Sequence, residues 1–97
     1  MDTDEVKQAR FDAERDRILR QFGETLRELR GPRTQEAIAD LTNLHPTYIG
    51  LVERGRREPK LSVLLILADA FGVPLDRLAR GLPVPAERKP SKPPAGR

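Results

Sequence analysis

Residues 34–55 read TQEAIADLTNLHPTYIGLVERG. Within this stretch, Ile38 and Leu41 recur at helical spacing, and Thr34 stands before them in a position suited to an N-cap. Asn43 then interrupts the pattern, and asparagine is one of the few residues that tolerate the left-handed backbone of a tight turn. The first half of the stretch therefore predicts a short helix that ends in a turn.

A second short helix is predicted directly after this turn. His45 precedes Pro46, and proline is favoured at the first position of a helix. Ile49 and Val52 then recur at the spacing of one helical turn, and Gly55 supplies a stop signal. Two short helices joined by a tight turn are typical of a helix-turn-helix, whose second helix can enter the major groove of DNA.

The same stretch resembles the xenobiotic-response-element (XRE) family, the bacterial Cro-like and phage-repressor-like regulators. The residues that carry the likeness are Thr34-Gln35-Glu36, Ile38-Ala39, Leu44-His45, Thr47-Tyr48-Ile49 and Glu53-Arg54-Gly55. Weaker matches on both sides extend it over residues 22–82. The resemblance implies an all-α fold, a compact five-helix domain of the phage-repressor type that binds DNA and regulates transcription.

The resemblance also implies which residues contact DNA. Residues at the start of the second helix face the base edges in such domains, and Pro46, Thr47 and Leu51 match these positions. Gln35 matches a contact with the DNA backbone, and a helix N-terminus attracts phosphates as well. The full set expected to contact DNA is Thr34, Gln35, His45, Pro46, Thr47, Tyr48, Leu51, Arg54, Arg56, Arg57 and Lys60.

Several of these residues also have a plainer interpretation. Thr34 suits helix capping more clearly than phosphate binding, and His45 suits a cap or an exposed position as well as a phosphate contact. Leu51 also fits an additional core leucine. The arginines after the second helix also fit a solvated charged segment.

Glu53 lies near the end of the second helix, where a carboxylate is a poor neighbour for phosphate. In phage-repressor-like proteins, the matching glutamate forms a partly buried ion pair with an arginine of the first helix. The resemblance therefore implies a pair between Arg30 and Glu53. This pair would orient the second helix rather than add net stability, because desolvation offsets much of the attraction.

An apolar helix is predicted from about Leu61 to Phe71, with Gly72 as its C-terminal cap. Its expected buried residues are Leu61, Leu64, Leu65, Ala68 and Phe71. Val63 and Ile66 then fall on the outward face, where an apolar excess favours an interface between protein chains, with tight burial as the alternative. The expected homodimer interface consists of Val63 and Ile66 with Leu78 and Leu82 from a last short helix.

The two ends of the chain differ from this middle part. Residues 1–21 are strongly charged and predict a helical extension, either solvated or used for packing and dimer formation. The recurrence of apolar residues sharpens from Ile18, which marks the approach to the domain at residues 22–82. Residues 83–97 contain five prolines and several basic residues, and this composition predicts a disordered tail.

The composition narrows the kinds of chemistry that the chain supports. A length of 97 residues suits one domain, and the absence of cysteine excludes disulfides and thiolate metal sites. With one histidine, no metal cluster is expected, and we expect no cofactor. The sequence predicts no secretory signal and no membrane span, so a cytoplasmic, nucleoid-associated protein is expected.

The charge distribution agrees with a nucleic-acid partner. The net charge is +3, with a pI near 9.8, and a local basic patch formed by Arg54, Arg56, Arg57 and Lys60 follows the second helix. We therefore expect a sequence-specific transcription regulator that binds double-stranded DNA as a homodimer on a palindromic or pseudo-palindromic operator. The alternative is an antitoxin-like regulator whose main partner is another protein. An enzyme has little support, since no catalytic set of residues is recognisable.

Overall fold

A computed structural model of the chain describes residues 2–86. This part of the chain consists of helices and loops, without strands. The five helices are α1 (Thr3–Arg30), α2 (Gln35–Thr42), α3 (Pro46–Glu53), α4 (Leu61–Phe71) and α5 (Leu75–Ala79). Across residues 2–86, no helix is both long and apolar enough to span a bilayer. The all-α, five-helix fold expected from the sequence is confirmed.

Helix α1 is a single helix of 28 residues that begins in the charged segment and runs on into the core. Asp2 caps it, since its carboxylate accepts a hydrogen bond from the backbone N–H of Asp4. The buried residues of α1 begin at Leu19 and include Phe22 and Leu26. The expected boundary between residues 21 and 22 thus falls inside a continuous helix, and the domain limits stay a prediction.

A short connection joins α1 to α2, and Arg33 holds it in place. The Arg33 guanidinium donates to the carbonyl oxygens of Leu29 (2.9 Å) and Arg30 (3.2 Å), which lie in the last turn of α1. Its charge also lies 5.5 Å from the ring centroid of Phe71, at the end of α4. Arg33 therefore holds the connection between α1 and α2 against both the C-terminus of α1 and the end of α4.

The caps of α2 and α3 use the residues that the sequence pattern suggests. The Thr34 hydroxyl accepts from the N–H of Ala37 at 3.0 Å, and Asn43 ends α2 in the left-handed conformation, at φ 59° and ψ 24°. At the start of α3, His45 Nδ1 accepts from the N–H of Thr47 at 3.1 Å. Local polar groups therefore fix both ends of the turn.

Thr42 adds a contact inside the turn that the sequence pattern does not reveal. Its buried hydroxyl donates to the Ile38 carbonyl at 2.8 Å and accepts from the backbone N–H of Leu44 at 3.2 Å. One side chain thus joins the last turn of α2 to the loop before α3.

The core lies where the five helices meet. It contains Phe22, Leu26, Ile38, Ala39, Ile49, Val52, Leu67, Ala68 and Leu78. Ile38, Val52 and Leu78 are the largest fully buried side chains. Assigning Leu78 to a dimer interface was therefore wrong, because a side chain with 1 % exposure faces the core and offers no surface to a partner.

Helix α4 buries only part of the expected face, with Ala68 buried and with Leu64 and Phe71 half-buried against the core. Leu61 and Leu65 are 63 % and 52 % exposed, although the sequence pattern assigned both to the core, and Leu67 is buried instead. Ile66 is 40 % exposed, whereas Val63 is half-buried and packs against the core. Because α4 is apolar on nearly every side, the spacing of its apolar residues does not identify the inward face.

The segment after α5 returns along α1. Gln21 Nε2 donates to the carbonyl of Gly81 at 2.9 Å, and Leu82 packs half-buried against the core. Residues 83–86 have neither helix nor strand, and the N–H of Ala86 donates to Glu14 at 2.8 Å. The rest of the expected disordered tail, residues 87–97, lies outside the described residues.

Candidate nucleic-acid interface

The start of α3 forms an accessible surface. Thr47 and His45 are exposed, and Pro46 and Leu51 are half-buried. Leu51 is not among the apolar residues packed against the core, so its side chain remains available on the outer side of α3. The three residues expected to read bases, at positions 46, 47 and 51, thus all keep accessible surface on one short helix.

The cap at His45 leaves one imidazole nitrogen free of this contact. Nδ1 accepts the hydrogen bond from Thr47, so the neutral ring carries its proton on Nε2. This N–H stands beside the first turn of α3, where backbone N–H groups have no partner inside the helix. A ring donor and a helix N-terminus are both groups that favour a phosphate oxygen.

Arg30 and Glu53 lie together, as the resemblance implied. Arg30 Nε lies 2.7 Å from Glu53 Oε2, and Arg30 Nη2 lies 3.0 Å from Oε1. The Glu53 side chain is 1 % exposed and that of Arg30 is 17 % exposed. The hydrogen bonds to Glu53 hold the pKa of Arg30 above its usual value, against the opposing effect of burial.

Gln35 joins this pair to α2. Its Nε2 donates to Glu53 Oε1 at 3.1 Å, so α1, α2 and α3 each contribute one residue to a single hydrogen-bond network. The Gln35 amide also covers Gly50, where an added Cβ would lie 3.1 Å from Oε1. Because a carboxamide has two N–H donors, Gln35 can bond Glu53 and still donate to a phosphate.

Gly23 allows α1 to cross α3 at close range, a role that our sequence analysis missed. A Cβ added at Gly23 would overlap the backbone oxygen of Glu53 and lie 2.8 Å from that of Val52. A glycine inside a helical pattern does suggest close packing, so a signal existed. The position of α3 relative to α1 depends on this missing side chain.

Gly55 brings the loop after α3 against α1. Its φ of +73° belongs to the left-handed region, and an added Cβ would lie 2.9 Å from the backbone nitrogen of Arg20. The chain therefore leaves α3 directly beside α1. Arg54 and Arg56, which flank this glycine, are thereby held near the middle of α1.

The basic residues after α3 are exposed. Within residues 2–86, the side chains of Arg54, Arg56, Arg57 and Lys60 form no hydrogen bond or ion pair. Tyr48 is half-buried against the core, and burial raises the pKa of its hydroxyl, while the charge of Arg57 partly opposes this shift. Cations without a partner therefore follow the end of α3, and one of them, Arg57, acts on Tyr48.

Two short helices in this arrangement, with an accessible start of the second helix and basic residues after it, define a helix-turn-helix protein. Residues 21–81 match the family described as "Helix-turn-helix domain". The match covers more than half of the chain, and the protein belongs to this family, among its XRE-type, Cro-like and phage-repressor-like regulators.

Two relatives make the comparison more specific. The chain is 47 % identical over 45 residues to "Control protein C.SmaI" of Serratia marcescens, a match that covers 46 % of this chain and 54 % of that protein. It therefore spans about half the length of this relative. The crystal structure of the restriction-modification controller protein C.AhdI from Aeromonas hydrophila is similar, with a TM-score of 0.60 and 42 % identity over 62 % of this chain and 94 % of C.AhdI.

Proposed function

We propose that the protein is a sequence-specific DNA-binding regulator of transcription that acts as a homodimer on a palindromic or pseudo-palindromic operator. The observation that carries this proposal is the accessible start of α3, held in one orientation by the network of Arg30, Gln35 and Glu53. A rigidly held helix with accessible first turns is what reading the major groove requires. The similarity to the restriction-modification controller protein C.AhdI supports the extension that this protein controls genes of a restriction-modification system.

In this proposal, Thr47 and Leu51 read the bases. The Thr47 hydroxyl donates to or accepts from a base edge, and Leu51 contacts a thymine methyl group. Pro46 has no side-chain donor or acceptor, so direct readout is limited to few positions. Sequence-dependent DNA shape and bridging waters then supply part of the specificity.

Phosphates are bound on both sides of α3. Gln35, Thr34, His45 and the first backbone N–H groups of α3 contact the backbone on one side of the groove. On the other side the contacts come from Tyr48, Arg54, Arg56, Arg57 and Lys60. The free cations at the end of α3 support this arrangement, because an unpaired guanidinium can donate two parallel hydrogen bonds to a phosphate.

The proposed homodimer uses the exposed face of α4. Leu61, Leu65 and Ile66 leave an apolar surface there, which water solvates poorly and which a second copy would cover. Val63 and Leu82, which pack half-buried against the core, are the other proposed interface residues. A two-fold dimer on B-form DNA places the recognition helices about 34 Å apart, one helical turn of the duplex.

The test separates contacts with DNA phosphates from contacts with base edges. Duplexes are first selected from a random pool, and binding is then measured on the selected and a scrambled duplex at several salt concentrations. Arg56→Ala should weaken binding to both and reduce the log–log salt slope by about 0.9 per lost contact. Thr47→Ala should instead lower the preference for the operator, by about 1–3 kcal/mol at the affected base pair.

Arg80→Ala is the charge-matched control, because Arg80 is exposed beyond α5 and pairs with Asp76. It should leave both the salt slope and the operator preference unchanged. A parent protein without any operator preference would contradict the proposal and favour the antitoxin-like alternative, whose main partner is a protein.

A further inference from the structure

A groove of about 380 Å³ lies between α1 and the end of α3, outside the turn and the reading face. Its lining residues are Arg20, Glu24, Arg27, Glu53, Arg54 and Arg56. A second groove of about 330 Å³ adjoins it and shares Arg20, Arg54 and Arg56. Four arginines from two separate parts of the chain therefore line the same space.

The positive charge in this groove is largely uncompensated. Within the part of the chain that the structure describes, the four guanidinium groups form no hydrogen bond or ion pair. Glu53 already accepts from Arg30 and Gln35 and is nearly inaccessible. The remaining carboxylates are Glu24 in the 380 Å³ groove and Asp16 in the adjoining one, against four arginines. Like charges held together repel one another, and a bound anion relieves this repulsion.

The groove is built by the close crossing of α1 and α3. Gly23 lies against the Glu53 carbonyl, and the backbone of Arg20 lies against Gly55, so α1 passes directly beside the end of α3. Arg20 and Arg27 lie one turn before and one turn after Gly23 on this face of α1. The C-terminal end of a helix that enters the major groove lies near a strand of the DNA backbone.

We infer that Arg20 and Arg27 of α1, together with Arg54 and Arg56, bind a DNA backbone phosphate beside the DNA major groove that α3 enters. The inference rests on the proposed function and extends the DNA interface to α1. Guanidinium groups suit this ligand because each offers a planar pair of donors that matches two phosphate oxygens. The contact fixes the position of α1 on the duplex and carries no sequence information.

The first experiment compares Arg27→Ala with Arg17→Ala. Both substitutions remove one positive charge from an exposed residue of α1, but Arg17 does not line the groove. Arg27→Ala should lower the salt slope by part of the about 0.9 that one neutralised phosphate contributes, because three arginines remain at the site. Operator preference should be unchanged, and Arg17→Ala should keep the parent slope. Arg27→Lys, which keeps the charge, should recover most of the slope, and circular dichroism checks that each variant folds. Equal slopes for Arg27→Ala and Arg17→Ala would overturn the inference.

A second experiment locates the phosphate. Neutral methylphosphonate groups replace single phosphates along the operator, and one position flanking the major-groove contact should weaken binding of the parent more than binding of Arg27→Ala. Equal losses in both proteins at every position would overturn the inference. A second result would also overturn the inference: the parent binds inorganic phosphate, and Arg27→Ala loses this binding but still binds DNA as the parent does. The site would then bind a free anion.

These outcomes are separate from a failure of the proposed function. The parent protein could bind all duplexes alike, while Arg27→Ala lowers the salt slope of binding and Arg17→Ala does not. The phosphate site would then be present in a protein that is not a sequence-specific regulator.

Discussion

Glu53 is a nearly inaccessible carboxylate beside a surface that we propose for phosphates, and Arg30 neutralises it with two hydrogen bonds. Arg30→Met should cost on the order of 3–5 kcal/mol in the free energy of unfolding, because it leaves a buried charge unpaired. Arg30→Met with Glu53→Leu should cost much less than the sum of the single substitutions. Urea denaturation of the parent, Arg30→Met, Glu53→Leu and the double variant measures this coupling. Small, additive losses in the free energy of unfolding would contradict it.

Tyr48 gives a prediction about pH. Burial raises the pKa of its hydroxyl above the ordinary value of 10.0, so the folded protein holds this proton more tightly than the unfolded chain does. The resulting stability is complete below pH 10 and is lost as the pH rises through the folded-state pKa. The sequence has one tyrosine and no tryptophan, so near-ultraviolet absorbance follows Tyr48 alone.

The control for Tyr48 is its positively charged neighbour. Arg57→Ala should raise the Tyr48 pKa further, because the charge of Arg57 lowers it. Arg56→Ala should leave this pKa unchanged. Identical midpoints for the folded protein and for the protein in denaturant would show that Tyr48 is solvated.

At the scale of elements, the crossing of α1 and α3 depends on Gly23. In an open helical position, glycine to alanine stabilises a helix by about 1 kcal/mol. Here the new Cβ would meet the Glu53 carbonyl, so Gly23→Ala should destabilise the protein by about 1–3 kcal/mol and shift α3. Thermal unfolding shows whether Gly23→Ala raises or lowers the stability. The control is Glu24→Ala, at the next position, which is exposed. A stabilised Gly23→Ala protein would contradict the close crossing.

The sequence predicts elements better than it predicts which faces they bury. Thr34, Asn43 and His45 act through local backbone chemistry, so their capping roles were predictable without knowledge of the rest of the fold. The inward face of α4 was predictable only in part, because Leu61 and Leu65 match a core pattern as well as Leu67 does. Burial there is decided by which neighbouring helices are present.

The candidate site shows the same limit. The family resemblance predicted the pair of Arg30 and Glu53. The sequence spacing of Arg20 and Arg27, in contrast, does not indicate that they lie beside Arg54 and Arg56. That neighbourhood depends on the crossing at Gly23 and on the turn at Gly55. Contacts between residues far apart in sequence require the fold itself.

At the scale of the whole molecule, assembly should depend on the exposed face of α4. Ile66→Lys places a charge on the apolar surface and should give a folded monomer that binds the operator weakly. Sedimentation measures the mass, and Val84→Lys is the control because Val84 is also exposed and apolar but lies outside α4. If Ile66→Lys remains dimeric, the interface lies elsewhere, and deletion of residues 1–13 would test the first turns of α1.

The contact between α1 and α5 has a consequence for how the protein is made in the cell. Phe22 and Leu26 of α1 share the core with Leu78 of α5, which follows in the chain much later. At ribosomal rates of about 5–20 residues per second, roughly 2–10 s pass between the synthesis of Arg30 and that of Leu78. The part of the apolar side of α1 that α5 covers stays exposed during this time, although α3 can cover another part sooner. Chains that stop before α5 never cover it, and we expect chaperones and proteases to remove them.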